Sequence, residues 1–279
     1  MIWLVALALA SDPVVVDVEL DEISGMETRS AGGFWVVEDS GNSSAVFAVG
    51  PNGEAVGAAH IVGQANRDWE DLSSYRDASG RRMLLIADTG DNDSEYAETF
   101  LLSVAEDRVE QGIRGGGVVA EHVWQVRLPC GAVDIEAVAV HPTHRVVYLL
   151  TKRESPPVLW AFSLDEGTDA RRIGDVAIPP ASSGQRAADL VFGHTANWPT
   201  AMDFTADGSE LVVQTYTDAW RLAVGNDGVP ITSAVLRMPV PKLRQTESAC
   251  ASEDGGWWVT SEHVPAPLVR VPLSVVPQR

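Results

Sequence analysis

A short acidic marker followed by a set of brief apolar segments recurs five times along the chain, and this repeat restricts the fold more than any other feature. The markers are SGME (24–27), DWED (68–71), DIEA (134–137), AMDF (201–204) and TESA (246–249). Each is followed by a run rich in Val, Leu, Trp and Tyr: FWVVED (34–39), MLLIADT (83–89), VVYLLTK (146–152), ELVVQTYT (210–217) and WWVTSEH (257–263). A polar loop and a third apolar segment come next, and four units add a fourth at 55–62, 118–128, 171–178 and 231–240. Short β-type runs bounded by Asn52-Gly53, Asp207-Gly208 and Asp254-Gly255 read as consecutive hairpins, because Asn-Gly and Asp-Gly accept the positive φ of tight turns. Spacings of 43, 66, 67 and 44 residues separate Glu27, Glu70, Glu136, Asp203 and Glu247, the longer ones carrying insertions at 107–117 and 181–199. Four antiparallel strands per repeat at this period predict an all-β chain folded as a β-propeller.

The fifth unit ends at Leu273 without a fourth strand, whereas VVVDVEL (14–20) stands unassigned before the first. Letting this segment complete the last blade gives five four-stranded blades closed by an N-terminal strand and leaves no open edge. The alternative, six blades, needs a blade within 179–199. Residues 1–10 are apolar and end in Ala8-Leu9-Ala10, so they read as a signal segment, with 11–279 forming one propeller domain. The protein is therefore expected to be secreted or periplasmic, and monomeric. No later apolar run reaches the roughly 20 residues of a membrane span.

A formal charge of −19 argues against nucleic acid and anionic membranes as partners, since both need clustered positive charge. Cations, a cationic protein partner, and small-molecule or carbohydrate ligands fit better. Two cysteines, Cys130 and Cys250, exclude a cysteine-built zinc site, and their placement in non-adjacent blades predicts free thiols. No nucleotide-binding, hydrolase-elbow or zinc-protease motif occurs, and no organic cofactor is expected.

Blade symmetry predicts that the five marker acids surround one mouth of the central channel, with the loops after the second strands on the same rim. Like charges this close need compensation. A hard cation such as Ca²⁺ suits carboxylates and loop carbonyls, and the candidate metal ligands are Glu27, Asp39, Glu70, Asp88, Asp91, Glu136, Asp203 and Glu247. Lys152, Arg67, Arg153 and His263 are candidate counter-ions. If one carboxyl keeps its proton, Glu70, Glu136, Asp203, Glu247, Lys152 and His263 become candidates for acid/base catalysis. The alternative for each acid is that it accepts inner-strand amide hydrogen bonds and fastens blades together. The six histidines are expected at the surface, His263 excepted, and Trp69 and Trp198 are the tryptophans nearest the mouth.

The motifs DWEDL (68–72), IADTGDN (86–92), VDIEAV (133–138), LLTKR (149–153) and TYTDA (215–219) resemble a group of secreted bacterial β-propeller proteins of unassigned function. That group is similar in turn to esterase-like phytase and sugar-lactone hydrolase propellers, which implies a divalent-metal hydrolase. Two readings result: a binding or interaction module with a cation in its acidic mouth, or a metal-assisted or acid/base hydrolase of phosphoesters, lactones or glycosides at the same place.

Overall fold

The computed structural model describes residues 14–16, 20–180 and 195–273. The predicted signal segment, residues 17–19 of the closing strand and most of the 181–199 insertion lie outside the described residues. Five sheets form a five-bladed β-propeller, so the six-blade alternative falls. The N-terminal strand β1 (Val14–Val15) belongs to the last blade. Blade 1 contains β2 (Ile23–Thr28), β3 (Phe34–Glu38), β4 (Ala45–Val49) and β5 (Ala55–Ile61). Blade 2 contains β6 (Trp69–Arg76), β7 (Arg82–Asp88) and β8 (Thr99–Ala105). Helix α1 (Glu106–Gly112) and β9 (Gly117–Val118) then precede the outer strand of blade 2, β10 (His122–Val126). Blade 3 is β11 (Ile135–Val140), β12 (Val146–Thr151), β13 (Val158–Ser163) and β14 (Arg171–Asp175). Blade 4 is β15 (Pro199–Phe204), β16 (Glu210–Thr215), β17 (Ala219–Ala223) and β18 (Leu236–Met238). Blade 5 is β19 (Thr246–Ala251), β20 (Gly256–Ser261) and β21 (Pro267–Pro272).

The ring closes as the strand count requires. β1 pairs antiparallel with β21, Val14 facing Leu268 and Val15 facing Pro267, and the Val16 amide adds a bond to the Ala266 carbonyl. The inner strands β2, β6, β11, β15 and β19 contact one another in that order and back to β2, enclosing the channel.

Apolar residues on both faces of each sheet pack against the two neighbouring blades, so the core is five wedges. Trp35, Trp69 and Leu84 fill the wedge between blades 1 and 2, and Met83, Leu149 and Phe162 that between blades 2 and 3. Tyr148 and Phe204 join blades 3 and 4, Trp257 and Val212 join 4 and 5, and Phe34 meets Trp258 across the closing wedge. Trp35, Trp69 and Trp257 are fully buried; Trp69 is therefore core and presents nothing to a ligand.

Two expectations about the strands need correction, and the 107–117 insertion carries most of a helix. Glu106 and Asp107 sit in the first turn of α1, where acids complement the helix dipole, and Val109 anchors it in the core. The fourth segment at 118–128 divides: Val118 pairs in parallel with Ile61 of blade 1, while β10 completes blade 2. The fourth segment at 231–240 shrinks to the three residues of β18. His141 is also not a surface group. It packs on Phe204, and its Nδ1 accepts the Thr143 and His144 amides, closing the hairpin turn. Cys130, exposed, and Cys250, buried, are both free thiols. No helix among the described residues is long and apolar enough to cross a membrane.

Candidate functional site

Every blade carries a β-bulge at the same point of its inner strand. The pairing register slips at Ser24, Glu70, Glu136, Thr200 and Glu247. A bulge leaves one residue unpaired and re-aims its side chain, and these five residues line one cavity of about 130 Å³ at a channel mouth. The residues just after β3, β12, β16 and β20, namely Asp39, Lys152, Tyr216 and Glu262, line it too. Their counterpart after β7, Thr89, instead donates its hydroxyl to the Ile135 carbonyl.

This register corrects the predicted ring of five acids. Glu70, Glu136 and Glu247 share the mouth, but Glu27 and Asp203 lie three residues beyond the bulge positions of their strands. Three residues of strand rise amount to about 10 Å. Glu27 and Asp203 accordingly line a separate cavity of about 170 Å³, together with Arg82. The bulge positions of their blades hold Ser24 and Thr200. Those hydroxyls fasten blades: Ser24 donates to the Trp69 carbonyl and Thr200 to the Thr246 carbonyl.

Fastening by side chains extends down the channel. Asp71 Oδ2 accepts the Val138 amide at 2.8 Å and the Met202 amide at 3.3 Å, joining blades 2, 3 and 4. Asp203 Oδ2 accepts the Ala251 amide at 2.9 Å, and Glu27 is paired with Arg82 at 3.2 Å. Asp88 accepts the Asp68 amide, and both oxygens of Asp91 accept amides, from Glu95 and Tyr96. The oxygen-rich loop at 88–98 is thus an Asp-capped turn. Arg67 donates to the Asp88 and Glu98 carbonyls and lies over the Tyr96 ring. His263 stays on the rim, its Nε2 bonded to Gln245 Oε1 at 2.8 Å, and does not line the mouth.

Five carboxyl groups and one ammonium remain in the mouth: Asp39, Glu70, Glu136, Glu247 and Glu262 against Lys152. Lys152 Nζ lies 2.5 Å from Glu136 Oε1. Burial opposes the Lys152 charge, but Glu136, Tyr216, Glu247 and Glu70 outweigh it and hold the ammonium above its ordinary range. Burial pushes Glu136 up to about 7 although Lys152 pulls it down. Glu70 is raised by burial and then by Glu136 and Asp39, and Glu247 by burial above all. Glu262 rises to about 7 through burial, Asp39 and Glu22. Half-buried Trp198 lies at one side, 4.9 Å from the Arg153 guanidinium and 5.9 Å from the Lys152 ammonium.

Two sets of carboxylates can each offer oxygens within 4.8 Å of one another: Asp39, Asp68 and Glu70, and Glu70, Asp134 and Glu136. Of the predicted ligands, Asp39, Glu70 and Glu136 belong to these sets; Glu27, Asp88, Asp91, Asp203 and Glu247 do not. Asp68 and Asp134, beside the mouth, and Tyr216 and Glu262, lining it, were not singled out. A signal for two of them exists, since DWED and DIEA share an Asp two residues before the marker Glu.

No family model matches the chain, and no curated protein matches it. Solved structures do, and these neighbours are β-propellers. One is a protein of unknown function from Bacteroides thetaiotaomicron, 8% identical with a TM-score of 0.51, covering 93% of this chain and 72% of that one. Another is a chain of the nidogen/laminin complex, 14% identical with a TM-score of 0.50, covering 86% of this chain and 72% of that one. A luciferin-regenerating enzyme is 12% identical with a TM-score of 0.48, covering 94% and 95%. At these identities the likeness concerns the fold.

Proposed function

We propose that the chain is an exported binding module, secreted or periplasmic, that takes its ligand at the acidic mouth around a hard cation such as Ca²⁺. The observation that carries this reading is the imbalance of five carboxyl groups against one ammonium within a single small cavity. A divalent ion bound by several oxygens relieves that repulsion. With the ion in place, the mouth suits a small molecule or carbohydrate that offers oxygens to it and an apolar face to Trp198. Without the ion it suits a basic group of a partner.

The second reading, an acid/base or metal-assisted hydrolase, draws on Glu247, whose carboxyl burial raises well above the ordinary carboxylate range beside Tyr216, which makes it a candidate general acid. The first is favoured because oxygens of Glu70, Asp134 and Glu136 lie within 4.8 Å of one another, close enough to share one ion. Thermal unfolding with Ca²⁺ and with chelator tests the binding reading. Ca²⁺ raises the melting temperature, and Glu70→Gln with Glu136→Gln removes the difference; an unchanged melting temperature in the native protein refutes the cation. Turnover of an aryl glycoside, lactone or phosphoester, lost in Glu247→Gln, would establish the hydrolase instead.

A further inference from the structure

The two carboxylate sets differ in what already compensates them. Glu136 is paired with Lys152, and Asp134 Oδ2 accepts Arg153 Nε at 2.8 Å. No Lys or Arg among the described residues forms an ion pair with Asp39, Asp68 or Glu70. Asp68 is 7% exposed, and its Oδ1 is buried without a hydrogen-bond partner. An unpartnered buried carboxylate oxygen is costly and rare in a native structure. The backbone has also been cleared around this group. Gly90 faces it, and a Cβ there would collide with Glu70 Oε1 and Asp68 Oδ2. Gly90 does not have a positive φ, so space and not backbone conformation is what calls for glycine.

We propose that the cation is seated specifically on Asp39, Asp68 and Glu70, against Gly90, and not on the Glu136 side of the mouth. This rests on the cation-binding reading above and narrows it to one seat. Asp39 comes from the end of β3, while Asp68 and Glu70 flank the buried Trp69, so the seat spans the junction of blades 1 and 2. Three carboxylates supply part of the six to eight oxygens that Ca²⁺ takes. The positions left over are for water or the oxygens of a bound ligand, and Lys152 and Arg153 stand on the other side for any anionic group such a ligand carries.

The test is titration calorimetry with Ca²⁺ alone, supported by Tb³⁺ luminescence excited through tryptophan, on the full-length protein. Asp68→Asn and Gly90→Ala should each weaken Ca²⁺ at least tenfold, and Glu253→Gln, in the separate cavity that Glu27 and Asp203 line, should leave affinity within twofold. Melting curves in chelator check that the variants fold; if Asp68→Asn does not, Asp39→Asn, at a half-buried position, replaces it. Wild-type affinity in both Asp68→Asn and Gly90→Ala overturns the seat. Loss in Glu136→Gln with none in Asp68→Asn moves the ion to the other set, overturning the seat while the cation-binding mouth survives. Absence of Ca²⁺ binding in the native protein overturns both.

Discussion

The Lys152 ammonium and the Glu136 carboxylate meet 2.5 Å apart in the mouth, both largely buried, and they are the only ion pair between residues lining that cavity among the described residues. Removing one partner of such a pair costs about 3–5 kcal/mol because the other charge is left buried alone. Lys152→Met should therefore destabilise strongly in urea unfolding at pH 8. The loss should shrink at pH 5, where Glu136 takes up a proton, and Lys152→Met with Glu136→Leu should recover most of it. A single variant as stable as wild type at pH 8 would show that the pair is not the compensation it resembles.

Acid should stabilise the cation-free protein. Burial raises Asp68, Glu136 and Glu262 to about 7 from ordinary values of 3.8, 4.5 and 4.5. Below pH 4 these groups are protonated in both folded and unfolded chains. Between pH 4 and 7 the unfolded chain releases protons that the folded one retains, so unfolding is increasingly favoured as pH rises, and the effect levels off above 7. Chelator-treated protein should melt at a higher temperature at pH 5 than at pH 7.5. Ca²⁺ competes with the same protons, so its stabilising effect should grow over that interval.

Asp71 holds three blades, and its loss should be felt between them. Asp71→Ala leaves the Val138 and Met202 amides without their acceptor, at about 1–3 kcal/mol for each buried orphan. Asp71→Asn keeps one acceptor oxygen and should cost less. Hydrogen exchange is the measurement: protection at Val138 should fall in Asp71→Ala and persist in part in Asp71→Asn.

Closure of the ring depends on the Val14–Val15 strand. Deleting residues 1–16 exposes the β21 edge, and an exposed edge is a template for pairing with another chain. The truncated protein should melt lower and form concentration-dependent oligomers in light scattering. A monomer with unchanged melting temperature would mean that the wedge between blades 1 and 5 is sufficient by itself.

The chain's own pattern determined the number of blades, the hairpin order and the need for an N-terminal strand to complete the last sheet. Apolar runs bounded by turn residues are local signals, and a repeat makes them add up. It also brought Glu70, Glu136, Glu247, Lys152 and Asp39 to one mouth, because equivalent residues of a propeller converge. What it left undecided was the height of each acid. Glu27 and Asp203 share the marker segments, but the bulge that re-aims a side chain into the mouth falls on Ser24 and Thr200 in their blades. A bulge is a feature of pairing between two strands, and no single strand announces it. The same holds for Asp68 and Gly90. One oxygen without a partner and one missing Cβ acquire meaning only when loops from separate hairpins are folded against each other.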